Sequence, residues 1–80
     1  MTDIDEKTYL RMENAILTFV KDHPDLTREE IQKRVFDIKP NIVRIALFHL
    51  TKKALVEGYF ERHVDGRMYQ HFRPARLNRE

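Results

Sequence analysis

The sequence predicts a small α+β domain in which three helices precede a C-terminal β-hairpin, and three observations predict it. Apolar residues recur at three- and four-residue spacing between Thr8 and Asp22. A Thr27/Glu30 pair and Pro40 mark two further helix starts. After Ala54 the chain turns to aromatic and β-branched residues on either side of Asp65-Gly66. The expected order is α-α-α-β-β within one domain over residues 7–74, with room for a short extra strand before the second helix and loose ends at 1–6 and 75–80.

In the first helix Tyr9, Met12, Ile16, Phe19 and Val20 follow the period of an amphipathic helix, and His23-Pro24 ends it. Leu10 and Leu17 widen the stripe to about half the circumference at 100° per residue. That excess is either a dimer seam or the mark of a deeply buried helix. Thr27 and Glu30 spell a capping box, and Leu26 and Ile31 flank it as a hydrophobic staple, so the second helix starts at Arg28. It carries Ile31 and Val35 inward and is expected to stop near Phe36, because Lys39 precedes a proline and is biased out of the helical region. Pro40 then suits the first turn of a third helix that runs to about Lys53. Val43, Ala46, Leu47 and Leu50 form its buried stripe, and Asn41, Ile45, Phe48 and Lys52 lie opposite, with Arg44 and His49 at the margins.

Asp-Gly favours a two-residue type I′ loop, which would pair Val64 with Arg67, Arg62 with Tyr69 and Tyr59 with Phe72. Pro74 ends the second strand. Both hairpin faces carry aromatics, so the pattern leaves open whether Tyr59 with Phe72 or Phe60 with Tyr69 is buried, and Gly58 is a candidate bulge that changes faces.

Composition narrows the function. Eighty residues make one domain, and the absence of cysteine removes disulfides, thiolate metal sites and a cysteine nucleophile. No stretch approaches the roughly 18 apolar residues of a membrane span, so no membrane partner is expected, and the acidic start is unlike a secretory leader. A cytoplasmic protein is expected. No Gly-rich phosphate loop, Ser-His-Asp spacing or H-x-x-x-H motif points to an enzyme. The net charge of +2 conceals a polarity: residues 1–40 hold seven Lys/Arg against nine Asp/Glu, and residues 41–80 hold eight against four. In one small domain this suggests a basic face, the electrostatic footprint of a nucleic-acid binder.

At this point the chain resembles the winged helix-turn-helix superfamily, over about residues 9–74. Val43-Arg44-Ile45-Ala46-Leu47-Phe48-His49-Leu50 followed by Ala54-Leu55-Val56 looks like the V-x-x-A-L-x-x-L-x-x-x-G-L-[LV] run of bacterial winged-helix repressors, and Arg62-x-x-Asp65-Gly66-Arg67-x-Tyr69 is similar to their wing. Ala54 stands where that run has glycine, Gln32 where the motif's first helix commonly has a small residue, and Phe36 where its turn often has glycine.

The resemblance implies that the third helix enters the major groove of double-stranded DNA and that the hairpin lies on the backbone or in the minor groove. Asn41, Arg44, Ile45, Phe48, His49 and Lys52 are then the candidates for base contacts, and Thr27, Lys39, Lys53, Arg62, Arg67 and Arg73 for phosphate contacts. A small, nucleoid-associated transcriptional regulator of repressor type is expected. With only six residues after Pro74 it would act by occupancy, by recruiting a partner or as a homodimer through Leu10 and Leu17 or through the chain ends. The other class of reading is a protein-interaction module anchored by Ile45 and Phe48, two large apolar side chains that are unusual on a groove-reading face. No cofactor or metal is expected. Of the four histidines only His63 and His71 approach one another, and the two-residue loop puts them on opposite faces.

Overall fold

The computed structural model describes residues 5–75 and shows an α+β domain of three helices and a three-stranded antiparallel sheet. The remaining residues, 1–4 and 76–80, which hold most of the expected loose ends, lie outside the described residues. Asp5 is not loose: its carboxylate accepts the Thr8 N–H at 2.8 Å, and helix α1 runs Glu6–Asp22, beginning two residues before the apolar period suggests. Ala75 is not loose either, because its N–H donates to the Leu55 carbonyl at 3.0 Å.

The predicted extra strand is present as β1 (Leu26–Thr27), followed at once by α2 (Arg28–Arg34). The capping box is complete: the Thr27 hydroxyl accepts the Glu30 N–H at 3.2 Å, and the Glu30 carboxylate accepts the Thr27 N–H at 2.8 Å. Helix α2 stops at Arg34, short of Phe36, which projects into solvent from the turn. Gln32 Nε2 donates to the Ile38 carbonyl at 2.7 Å and closes that turn, a task the small residue expected there has no reach to perform.

Helix α3 (Pro40–Lys52) buries Val43, Ala46, Leu47 and Leu50 as its period predicts. Ile42 is buried with them, because Ile38 in the preceding turn belongs to the same cluster and extends the core beyond one helix stripe. That cluster joins Ile16 and Val20 of α1, Ile31 of α2 and the sheet residues Val56 and Phe72. At the end of α3 the Leu55 N–H donates to the Leu50 carbonyl and the Ala54 N–H to the Thr51 carbonyl, both at 3.0 Å, which is a Schellman cap. Ala54 holds its left-handed position at φ 62° without the freedom of the glycine that usually ends such a helix. Ala54→Gly is therefore expected to stabilise the domain by about 0.5–1 kcal/mol, the relief of strain less the extra entropy of the unfolded chain. The check is a higher midpoint in urea at an unchanged slope.

The sheet order is β1-β3-β2, from β2 (Val56–Arg62) and β3 (Met68–Pro74). Its register differs from the one the Asp-Gly loop predicts: Tyr59 faces His71, Glu61 faces Tyr69 and Arg62 faces Met68. The turn has three residues, Val64, Asp65 and Gly66, closed by the His63 N–H on the Arg67 carbonyl at 2.8 Å, with Gly66 at φ 86° in its last position. A loop ending on a left-handed glycine is the other common hairpin solution, and the Asp65 carboxylate supports it by accepting the Arg67 N–H at 3.0 Å.

Moving the pairing by one residue changes which side chains share a face. Val56 and Phe72 point into the core, while Tyr59 and Tyr69 occupy the opposite face, so neither of the two expected aromatic pairs is the buried one. His63 and His71 come onto one face instead of two. Gly58 marks no bulge, since the ladder is continuous from Val56 to Arg62. A Cβ there would come within 2.5 Å of Gln70 Nε2 and 3.4 Å of Phe72, so glycine is what lets these side chains cross the strand.

Candidate nucleic-acid interface

Burial of the α3 stripe turns the other side of the helix outward. Asn41, Arg44, Ile45, Phe48 and Lys52 are all exposed, Phe48 at 59% and Ile45 at 38%. The Lys52 ammonium stands 5.5 Å from the Phe48 ring centre and partly covers its face.

Two open grooves flank this surface. One, of about 440 Å³, separates α3 from the hairpin and is lined by Arg28, Arg44, Phe48, Met68 and Gln70. The other, of about 550 Å³, lies between α2 and α3 and is lined by Arg28, Gln32, Lys33, Asn41 and Arg44. Arg28 and Arg44 border both, as does the carboxylate-bearing Glu29. Arg28 was not among the sequence candidates, although its place as the first helical residue after the Thr27 cap could have flagged it as exposed.

The remaining candidates divide. His49 is turned toward α1: its Nδ1 lies 2.9 Å from the Tyr9 hydroxyl and 3.9 Å from the Glu13 carboxylate. Lys53 is committed to Glu13 at 2.8 Å. Thr27 is buried, and its hydroxyl both accepts from Glu30 N–H and donates to the Glu30 carboxylate, leaving nothing for a phosphate. Arg73 lies on the hairpin face away from α3, bonded to Glu57 at 2.6 Å and 4.5 Å above the Tyr59 ring.

Arg62 braces the hairpin loop by donating to the Gly66 carbonyl at 2.8 Å, and Arg67 is exposed beside that loop. Lys39 is exposed at the start of α3. Among the described residues Arg28, Lys39, Arg44, Lys52 and Arg67 form no ion pair. On α1, Leu10 remains exposed while Leu17 packs against the core, so the wide apolar stripe serves burial in part.

Behind α3 two of these candidates, His49 and Lys53, join a polar cluster with Tyr9 and Glu13, which were not among the sequence candidates. Glu13 is 5% exposed and receives hydrogen bonds from Lys53 at 2.8 Å and from the Tyr9 hydroxyl at 2.9 Å. Burial alone would raise its pKa, but the Lys53 ammonium and the Tyr9 hydroxyl overrule it and hold the carboxyl below its ordinary value. The same burial and the neighbouring carboxylate push the Tyr9 hydroxyl well above the usual phenol range. The signal available beforehand was a glutamate four residues after Tyr9 and three before Ile16, inside an otherwise apolar stripe. The cluster ties α1 to the C-terminal end of α3 and so helps fix the angle at which α3 is presented.

No protein-family model and no curated protein sequence matches this chain. Among the described residues no helix is long and apolar enough to cross a membrane.

Proposed function

We propose that residues 7–74 form a winged helix-turn-helix domain that binds double-stranded DNA as a small, nucleoid-associated transcriptional regulator. In this reading α3 lies in the major groove and the β2–β3 hairpin acts as the wing. The observation that carries it is the α3 surface itself: Asn41, Arg44 and Lys52 are exposed, and neither cation is engaged in an ion pair among the described residues. Arg28 borders both grooves, Lys39 is exposed at the start of α3 and Arg67 is exposed beside the hairpin loop, each without an ion pair among the described residues, and Arg62 sits at that loop. Asn41 and Arg44 are suited to adenine and guanine edges, the lysines and other arginines to phosphates. The function is binding, without a catalytic residue, and one such module buries only about 600–1,000 Å² on DNA, which favours a homodimer.

Fluorescence anisotropy with a labelled mixed-sequence duplex tests the reading. Affinity is expected to fall steeply with salt. Arg44→Ala with Lys52→Ala is expected to weaken binding by about tenfold or more and to lower the log K against log salt slope by about 1 for each phosphate that the variant no longer neutralises. A folded protein that does not bind duplex at low salt overturns it.

A second reading draws on Phe48 and Met68, exposed at 59% and 51% along the same groove, with Ile45 beside them. Apolar side chains gathered beside arginines also suit a protein partner. Under that reading Ile45→Ala with Phe48→Ala removes partner binding, and duplex binding is absent from the start.

A further inference from the structure

Away from α3, the sheet face that carries Tyr59 and Tyr69 brings two imidazoles together. His63 Nε2 and His71 Nε2 are 2.7 Å apart. His71 is buried at 8% exposure, stacked on Tyr59 with ring centres 5.5 Å apart, and His63 packs on the Tyr69 ring at 4.3 Å. The orientation of His71 is set from behind, because its Nδ1–H donates to the Asp25 carbonyl at 2.8 Å. Asp25 is held in turn by the Tyr59 hydroxyl, 2.6 Å from its carboxylate. With the Nδ1 proton committed, the His71 Nε2 lone pair points at His63, whose Nε2–H donates to it.

A ring nitrogen presented in this way, with the other nitrogen anchored on a backbone carbonyl, is the arrangement that orients metal-ligating histidines. Two carboxylates add negative charge nearby. Glu61 Oε1 is 3.9 Å from His71 Nε2, and Glu30 is close enough to interact electrostatically with both rings.

We propose that His63 and His71 form a two-imidazole chelate for a divalent transition cation of the zinc type, independent of what α3 binds. Among the described residues no three His, Cys, Asp or Glu side chains are gathered about one point, so water completes the coordination and Glu61 contributes its charge from beside His71. The change required is small. Zinc–nitrogen bonds of 2.0–2.1 Å at a tetrahedral angle set the two nitrogens about 3.3 Å apart, so the rings must open by about 0.6 Å. His63 is half-buried and follows the last residue of β2, so it is the ring able to turn, and its one proton moves to Nδ1 so that both Nε2 lone pairs face the ion. The bound ion would clamp the start of the hairpin loop to β3, and through Asp25 to the segment entering β1.

The experiment is a titration of tag-free protein with Zn²⁺, followed by imidazole NMR signals and thermal melting. One ion per chain is expected, with shifts in the His63 and His71 ring signals ahead of His23 and His49. The melting temperature should rise with zinc concentration. His63→Ala should lower the affinity by at least about tenfold, the loss usual even for an outer-shell partner. His63→Gln serves the same purpose should the alanine variant fold poorly. The proposal is overturned by the absence of a zinc response in the wild type at millimolar ion, by His23 or His49 responding first, or by unchanged affinity in a folded His63 variant.

Discussion

Leu50→Ala is expected to destabilise the domain by about 3 kcal/mol and to lower its melting temperature by about 15 °C. Leu50 is 1% exposed and belongs to the cluster that α1, α2, α3 and the sheet share. It also sits where the chain leaves α3: its carbonyl accepts the Leu55 N–H of the Schellman cap. Truncation would remove three carbons from a site walled by several elements, none of which can close the gap without disturbing the others. A domain of this length has only about 4–12 kcal/mol of stability, so the loss is a large fraction of the total. Chemical denaturation measures it directly. A loss below about 1 kcal/mol would mean that the core relaxes around the cavity and that α3 is held mainly from elsewhere.

Lys53→Met is expected to cost about 2 kcal/mol at neutral pH, less than the 3–5 kcal/mol typical of a broken buried pair, because half of the Lys53 side chain is exposed and Tyr9 remains bonded to Glu13. The pH dependence identifies the cause. In the wild type the Glu13 carboxyl is held below its unfolded value, so its contribution to stability is fully present above that value, about 4.5, and disappears as pH falls through the folded one. In the variant the lysine no longer opposes burial and only the Tyr9 hydrogen bond and the nearby His49 do, so the balance moves toward the protonated acid. The difference in stability between the two proteins should therefore be largest above about pH 5 and shrink toward pH 3. A difference that stays constant with pH would assign the cost to the packing of the lysine stem, with no part for the ion pair.

Much of the domain was legible because its signals are local. The Thr27/Glu30 capping box placed the start of α2 at Arg28, and Pro40 placed the start of α3, since each depends on contacts within one helical turn. Periodicity found the inner face of α3 because a helix alternates faces at a fixed angle. The hairpin was harder. Asp65-Gly66 marks a turn, but two loop lengths use the same residues, and choosing between them shifted the pairing by one and reassigned both faces of the sheet. His63 and His71, expected near one another but on opposite faces, share one face for that reason.

The candidate surface was legible in part. Asn41, Arg44 and Lys52 face solvent as helical geometry required, whereas His49 and Lys53 are engaged by Tyr9 and Glu13. Those partners lie 40 residues earlier in the chain, and no local pattern links them.

What the sequence determined by itself is the order and type of the elements, the residues that start α2 and α3, and the outward set on α3. Each follows from hydrogen bonds and periodicity that operate within a few residues. The tertiary structure alone decided which charges remain free, which histidines meet and which hairpin face enters the core. These depend on how segments far apart in the chain are brought together, and a shift of one residue in a strand or the approach of one buried carboxylate is enough to change them.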